Sequence, residues 1–505
     1  MDDSLLQILK QLSSTSDADS PNTGQNDLSL LRSQMPVGKF LAHIRALKLP
    51  SEQFVTTIYV LFKSASVEWL VPELDCSDQD NSFVTFAETS EHFYSDLATA
   101  LCQHACVRSL ANEEETCGDP CKMLGDRTGT ACIAMKTFSC LFDSLTRCSC
   151  ERELTRSCKR TVQRVVKNLS CGAVVICLEH ELAGPWTTAQ SVKCASSLLA
   201  TLCIANGHDT LDSLLNMSDG KLGLLQHILK ETLPKLTQTT WKLNPAAGRV
   251  FRRCLLLTRQ PLFSDCLAMF LPPTLLFVDD FEAENRLPGL QCLHHIVHHC
   301  SRTELRWYGR ADVIYDSLVR AMFGCDEVAL QAVLFCLFDV LDIVETSPRR
   351  STGPRTWCRH DELFSKYLTN MEMESRLPIR RTYAKHLGAF ISKLGITTVR
   401  HLSQLVRVVV DYLQFSDGQG EQCRCDILDA LLVILSESWP RVSSHADEIM
   451  KSLVRLLDDV GRQTDSSSVQ MGVQRRALDC VQLLKKICPE YEDLTDDFFL
   501  QIAGD

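Results

Sequence analysis

The sequence predicts an all-α protein, a HEAT/armadillo-like α-solenoid of roughly twenty helices, and three observations carry that prediction. Apolar residues recur at spacings of three and four along nearly the whole chain, as in Phe54, Ile58, Leu61 and Phe62. Aromatics make up only 7% of 505 residues, with 22 Gly and 17 Pro, so strand formers and helix breakers are both scarce. Five helical segments also read as versions of one another: 289–299, 328–344, 379–395, 423–438 and 474–488. Aligning one small residue from each (Cys292, Ala332, Ala384, Ala430 and Cys480) gives separations of 40, 52, 46 and 50 residues. A loose period with two helices per repeat describes stacked helical hairpins, and a small residue belongs where two helices cross closely.

In chain order, 1–27 reads as a short helix and a disordered linker, because 13–27 (SSTSDADSPNTGQND) is polar and poor in apolar residues. Residues 28–180 read as an N-terminal helical region with a Cys-rich loop, and 181–346 as central repeats. Residues 347–357 read as a flexible basic loop, and 358–505 as C-terminal repeats ending in the acidic EYEDLTDD. Punctuation is expected at Leu49-Pro50, Gly184-Pro185, Asn206-Gly207, Leu271-Pro272-Pro273, Leu394-Gly395 and Trp439-Pro440. Irregular insertions are expected at 76–90, 111–130 and 346–357.

A net charge of −11 argues against a chain whose main task is neutralising phosphate backbone. Met1-Asp2-Asp3 is acidic where a secretory signal is basic, and the longest uncharged stretch, 194–208, falls short of the roughly 20 residues of a span. The expectation is a protein neither secreted nor transmembrane, cytoplasmic and also nuclear. Its 25 cysteines are then expected to be reduced, with Cys132, Cys140, Cys292, Cys300 and Cys336 serving as small core residues.

Catalytic signatures are missing: there is no GxxxxGK[ST], no HExxH and no GxSxG. The expectation is no enzyme activity and no cofactor. Cys102, Cys106, Cys117 and Cys121 have approximate zinc spacing, but Cys102 and Cys106 stand one turn apart on an apolar face, and the core reading is preferred. His294/His298 and His295/His299 are i,i+4 pairs that lack a positioned third ligand, so no metal site is assigned. Between 374 and 410, seven Arg or Lys face one acid, Glu374. Arg380, Arg381, Lys385 and Arg400 are therefore the candidate docking ridge for a partner, against the alternative of a solvated face with Arg stems covering apolar surface.

Four strings carry a family resemblance: Gly184–Thr188 (GPWTT), 279–297 (DDFEAENRLPGLQCLHHIV), 380–405 (RRTYAKHLGAFISKLGITTVRHLSQL) and Ser438–Val442 (SWPRV). In that order, across 185–442, they resemble the family of Tel-two-interacting protein two. The resemblance implies an adaptor subunit of the Triple-T complex, with the Tel-two protein and its first interacting protein as partners. It implies co-chaperone work with the ninety-kilodalton heat-shock chaperone and a RuvB-like ATPase adaptor, with phosphatidylinositol-kinase-related kinases (mTOR, ATM, ATR) as clients. No catalytic residues come with it. Nucleic acid and membrane are not expected partners. A transport-type HEAT adaptor for peptide cargo, and a zinc-dependent protein using Cys102–Cys121, stay open as alternatives.

Overall fold

The computed structural model describes residues 29, 32–33, 37–46, 48–63, 65–71, 82–110, 127–151, 156–217, 223–350, 356–418, 420–462 and 468–491, and these contain helices and no strand. The helices are α1 (Val37–Ala46), α2 (Ser51–Lys63), α3 (Val67–Leu70), α4 (Ser82–Ala105), α5 (Thr128–Glu151), α6 (Arg156–His180) and α7 (Ala189–Ala205). They continue as α8 (Leu211–Leu215), α9 (Leu224–Thr232), α10 (Pro245–Leu257), α11 (Leu262–Val278), α12 (Ala283–His299), α13 (Arg302–Arg306) and α14 (Arg310–Ala321). The last are α15 (Glu327–Val344), α16 (Arg359–Met373), α17 (Leu377–Leu394), α18 (Leu402–Gln414), α19 (Gln422–Val442), α20 (Ala446–Gly461) and α21 (Ser468–Ile487). The all-α solenoid class read from the periodicity is the class observed. The chain divides into two compact units, Met1–Pro273 and Thr274–Asp505. That break falls inside the 181–346 stretch that the sequence grouped together.

In the N-terminal unit, α6 is the central helix and packs against α4, α5, α7, α9 and α10. Its Val165, Leu169, Ala173, Val174, Ile176 and Cys177 are fully buried, and burial of each large apolar side chain contributes about 1.5–3 kcal/mol. A Cβ at Gly172 would lie 2.9 Å from the Cys102 Sγ and 3.3 Å from the Ala98 Cβ, so α4 and α6 meet at glycine contact. By length and composition, Lys159–His180 is apolar enough to cross a membrane, yet 72% of that window is buried, as in the core helix of a helical stack. The GPWTT string locks the turn after α6. Trp186 is buried and donates from Nε1 to the Glu179 carbonyl, Arg249 lies 4.3 Å over its ring, and Thr188 caps α7.

Beneath this turn, the buried Glu179 carboxylate accepts only one backbone hydrogen bond, from the Val107 N–H at 3.1 Å. Burial raises its pKa from 4.5 to about 7, against smaller opposing effects of the Val107 amide, Lys235, Cys106 and Arg249. Between those two values the folded chain holds a proton that the unfolded chain has released, so the group's contribution to stability falls as pH rises through the window. Glu179→Gln removes the burden. It is expected to gain about 3 kcal/mol over wild type above pH 7 and nothing below pH 4.5, read from urea unfolding of both chains at pH 5 and pH 8. An equal difference at the two pH values refutes this.

In the C-terminal unit the five repeated segments form one layer, in which α12, α15, α17, α19 and α21 each pack on the next. A second layer of α14, α16, α18 and α20 pairs with it as helical hairpins. The aligned small residues mark crossings: a Cβ at Gly388 would lie 3.6 Å from the Ala430 Cα, and the Cys480 thiol donates to the Leu428 carbonyl at 3.4 Å. Amphipathic stripes face inward, as in α20, where Ile449, Met450, Leu453, Leu456, Leu457 and Val460 are buried. The 279–297 string is held by Asp280, whose Oδ2 accepts from Asn285 at 2.8 Å and whose carbonyl accepts from Arg286 at 2.8 Å. At Gly289 a Cβ would come within 2.7 Å of the Phe277 Cβ, so only glycine lets α12 approach the end of α11 this closely.

Several boundaries differ from the sequence reading. Pro272-Pro273 and Pro440 lie inside α11 and α19, because flanking Phe270, Leu271, Phe277 and Val442 are buried and packing outweighs the local break. The 76–90 insertion gives way to helix from Ser82. The 347–357 loop is anchored where it is described: the Ser347 hydroxyl donates to the Lys393 carbonyl, and Arg349 pairs with Glu437 at 2.7 Å. Residues 1–27, most of 111–130, 351–355 and the acidic end 492–505 lie outside the described residues. Leu49-Pro50, Gly184-Pro185, Asn206-Gly207 and Leu394-Gly395 separate helices, and Gly207 and Gly395 take the positive φ values, 73° and 59°, that end α7 and α17.

Candidate partner-docking surface

The basic run on α17 and the turn after it is neutralised from within the stack. Arg376 pairs with Glu374 at 2.8 Å, Arg380 with Asp411 at 2.9 Å, and Arg381 with Asp417 at 2.7 Å. Lys393 pairs with Asp342 at 2.6 Å, Arg400 with Asp361 at 2.8 Å, and Arg407 with Glu372 at 3.9 Å. The acids come from other helices and loops, mostly about 30 to 50 residues away in sequence, so the local imbalance becomes a set of cross-helix ion pairs. Arg380 is a correction to the expected exposed ridge: it is 8% exposed, with its guanidinium 3.7 Å over the Tyr412 ring. His386 is buried as well, beside Phe335 and Phe338. Burial, and then the adjacent Lys385, hold its pKa below the usual histidine value. Lys385 and Arg400 are the ridge members that stand exposed.

Asp361 is the densest of these nodes. Its side chain is 0% exposed, caps α16 through the Cys358 N–H at 3.1 Å, and receives Arg400 at 2.8 Å and His401 at 3.1 Å. Burial by itself raises the pKa. The bonds from His401, Cys358 and Arg400 outweigh it and hold the carboxyl below its ordinary value.

What Arg400 does not bury lines a shallow groove. Ile396, Thr397, Val399, Arg400, Pro440 and Arg441 surround it, bringing two of the four quoted strings together at one end of α17 and α19. Trp439 is 61% exposed beside it in sequence. The Arg400 Nη1 donates to the Thr356 carbonyl, and the adjacent Trp357 is 56% exposed with its ring tilted 5.2 Å from that of His401. Exposed Trp with flanking Arg is the composition of binding hot spots. The strings made Trp439 visible in the sequence. Trp357 sat in a segment read as flexible, and only the fold places it next to Arg400.

The cysteines whose side chains the structure describes are free thiols. Cys292, Cys300 and Cys336 are buried, and Cys132 and Cys140 half-buried. Burial pushes Cys132 up to about 11 and Cys254, Cys300 and Cys423 up to about 12, which keeps them protonated and inert. Of the zinc-spaced set, Cys117 and Cys121 lie outside the described residues. The Cys102 thiol donates to the Gly172 carbonyl at 3.5 Å, and Cys106 is buried one turn away.

Fold and surface together define a HEAT-like helical solenoid with an arginine- and tryptophan-bearing face. No protein-family profile matches the chain. Human TELO2-interacting protein 2 is 36% identical over 328 residues, 64% of this chain and 65% of that protein. Its rat and mouse counterparts are each 34% identical over 326 residues, 63% of either chain. The matched region spans somewhat less than two thirds of each of these relatives. Among solved structures, importin beta aligns over 99% of this chain and 65% of its own at 12% identity (TM-score 0.41), and Kap121p bound to RanGTP over 99% and 46% at 13% (TM-score 0.43).

Proposed function

We propose that this chain is a non-catalytic scaffold that binds the TELO2 protein for which its relatives are named, as a subunit of a Triple-T co-chaperone assembly. The observation that carries this reading is the 36% identity to a protein called TELO2-interacting. The helical stack with an open, side-chain-rich face supports it, since such stacks offer extended binding surfaces. In this reading the assembly includes the first Tel-two-interacting protein, works with the ninety-kilodalton chaperone and its RuvB-like ATPase adaptor, and supports maturation of mTOR, ATM and ATR-class kinases in cytoplasm and nucleus. The groove of Ile396, Arg400, Pro440 and Arg441, with Trp439 and Lys385 on the same helix layer, is the proposed contact. Stable subunit interfaces bury about 2,000 Å² or more, so single changes are diluted and combined ones are informative.

The test is affinity of purified full chain for purified TELO2 protein, comparing wild type with the Trp439→Ala, Arg441→Glu pair. Both residues are exposed, so an unchanged melting profile is expected beside an affinity at least tenfold weaker. Full affinity in the double variant refutes the surface. No binding by wild type refutes the scaffold reading.

A further inference from the structure

His294 and His298, one turn apart on α12, aim their Nε2 atoms at Asp339 on α15. His294 Nε2 lies 3.0 Å from the Asp339 Oδ2, His298 Nε2 lies 3.4 Å from the same oxygen, and the two Nε2 atoms are 2.9 Å apart. No assignment of protons satisfies all three contacts. A neutral imidazole nitrogen carries either a hydrogen or a lone pair. If both Nε2 atoms donate to Asp339, two N–H groups face each other at 2.9 Å. If His298 donates to His294, then His294 Nε2 offers its lone pair there and presents none of the hydrogen that the carboxylate needs. A cation removes the conflict, because three lone pairs then converge on one positive charge.

We propose that His294, His298 and Asp339 form a divalent transition-metal site that staples α12 to α15. Two imidazoles and a carboxylate suit Zn²⁺. Zinc bonds of about 2.0–2.2 Å at tetrahedral angles separate ligand atoms by about 3.4 Å. The observed 2.9–3.4 Å needs shifts of only a few tenths of an ångström. The three side chains are 36%, 56% and 44% exposed, so the ion has an entry path and a fourth position open to water. The sequence offered the histidine pair without its third ligand. Asp339 is 45 residues beyond His294, and the 40-residue offset between Cys292 and Ala332 sets 338–339 beside His298 in the neighbouring repeat. The site stands independently of any partner.

The test is titration of the full chain with Co²⁺, then displacement by Zn²⁺, for wild type, His298→Ala and Asp339→Asn. Expected are visible bands of a nitrogen- and oxygen-ligated tetrahedral ion, an equivalent of about one metal per chain, and at least tenfold weaker binding in both variants. Slower amide exchange in Ala283–His299 and Glu327–Val344 on adding Zn²⁺ supplies the second readout, which does not depend on the variants folding identically. Thiolate charge-transfer bands with the same stoichiometry in all three chains, or no protection of those helices, overturns the site.

Discussion

Asp361→Ala is expected to destabilise the C-terminal unit by about 3–5 kcal/mol, the loss typical of stripping one partner from a buried ionic cluster. The carboxylate has 0% exposed side chain and serves three groups at once: the Cys358 N–H at the first turn of α16, and Arg400 and His401 in the turn before α18. Its removal leaves a partly buried guanidinium and an uncapped helix. Asp361→Asn, which keeps a cap but not the charge, is expected to lose less. Because the folded carboxyl titrates below its ordinary value, its contribution is present above the unfolded pKa and is lost as pH falls through the folded one. The gap between wild type and Asp361→Ala should therefore narrow under acid. Urea unfolding with amide exchange on Arg359–Met373 measures it. A loss under 1 kcal/mol at neutral pH shows the cluster to be dispensable.

Phe390→Ala is expected to cost about as much, 3–5 kcal/mol, by a different route. Phe390 is fully buried and its ring lies 5.0 Å from Phe338, 4.9 Å from Phe364 and 5.5 Å from Tyr367, so three helices, α15, α16 and α17, meet on one side chain. The edge-to-face geometry of all three pairs adds to the transfer and cavity terms. Phe390→Leu keeps most of the volume and should cost less than half as much. Equal losses for the two substitutions in urea unfolding contradict the packing account.

Both residues lie where the sequence and the fold differ in what they make legible. Phe390 lies in the 379–395 segment that the sequence marks as a repeated helix. Its three ring partners, on the two neighbouring helices α15 and α16, were not legible there. Asp361 carried no signal at all, since it stands 39 and 40 residues from Arg400 and His401. The same distance explains the docking ridge: counting charge between 374 and 410 found seven cations and one acid, and the stack then supplied acids to six of those cations from elsewhere in the chain or, at Arg376, from Glu374 itself.

What the sequence determined by itself was what depends on short-range pattern. Apolar spacing of three and four gave the helices, the recurring small residues gave the layer of α12, α15, α17, α19 and α21, and the quoted strings pointed to the family. Tertiary structure alone decided what depends on contacts across a repeat: that Arg380 turns inward onto Tyr412, that prolines 272, 273 and 440 stay within helices, and that Asp339 meets His294 and His298. The physical reason is that helix formation is governed by residues within one turn of each other, while charge pairing and ligand geometry are set by atoms brought together from about 40 residues apart, at a register that the loose period does not specify.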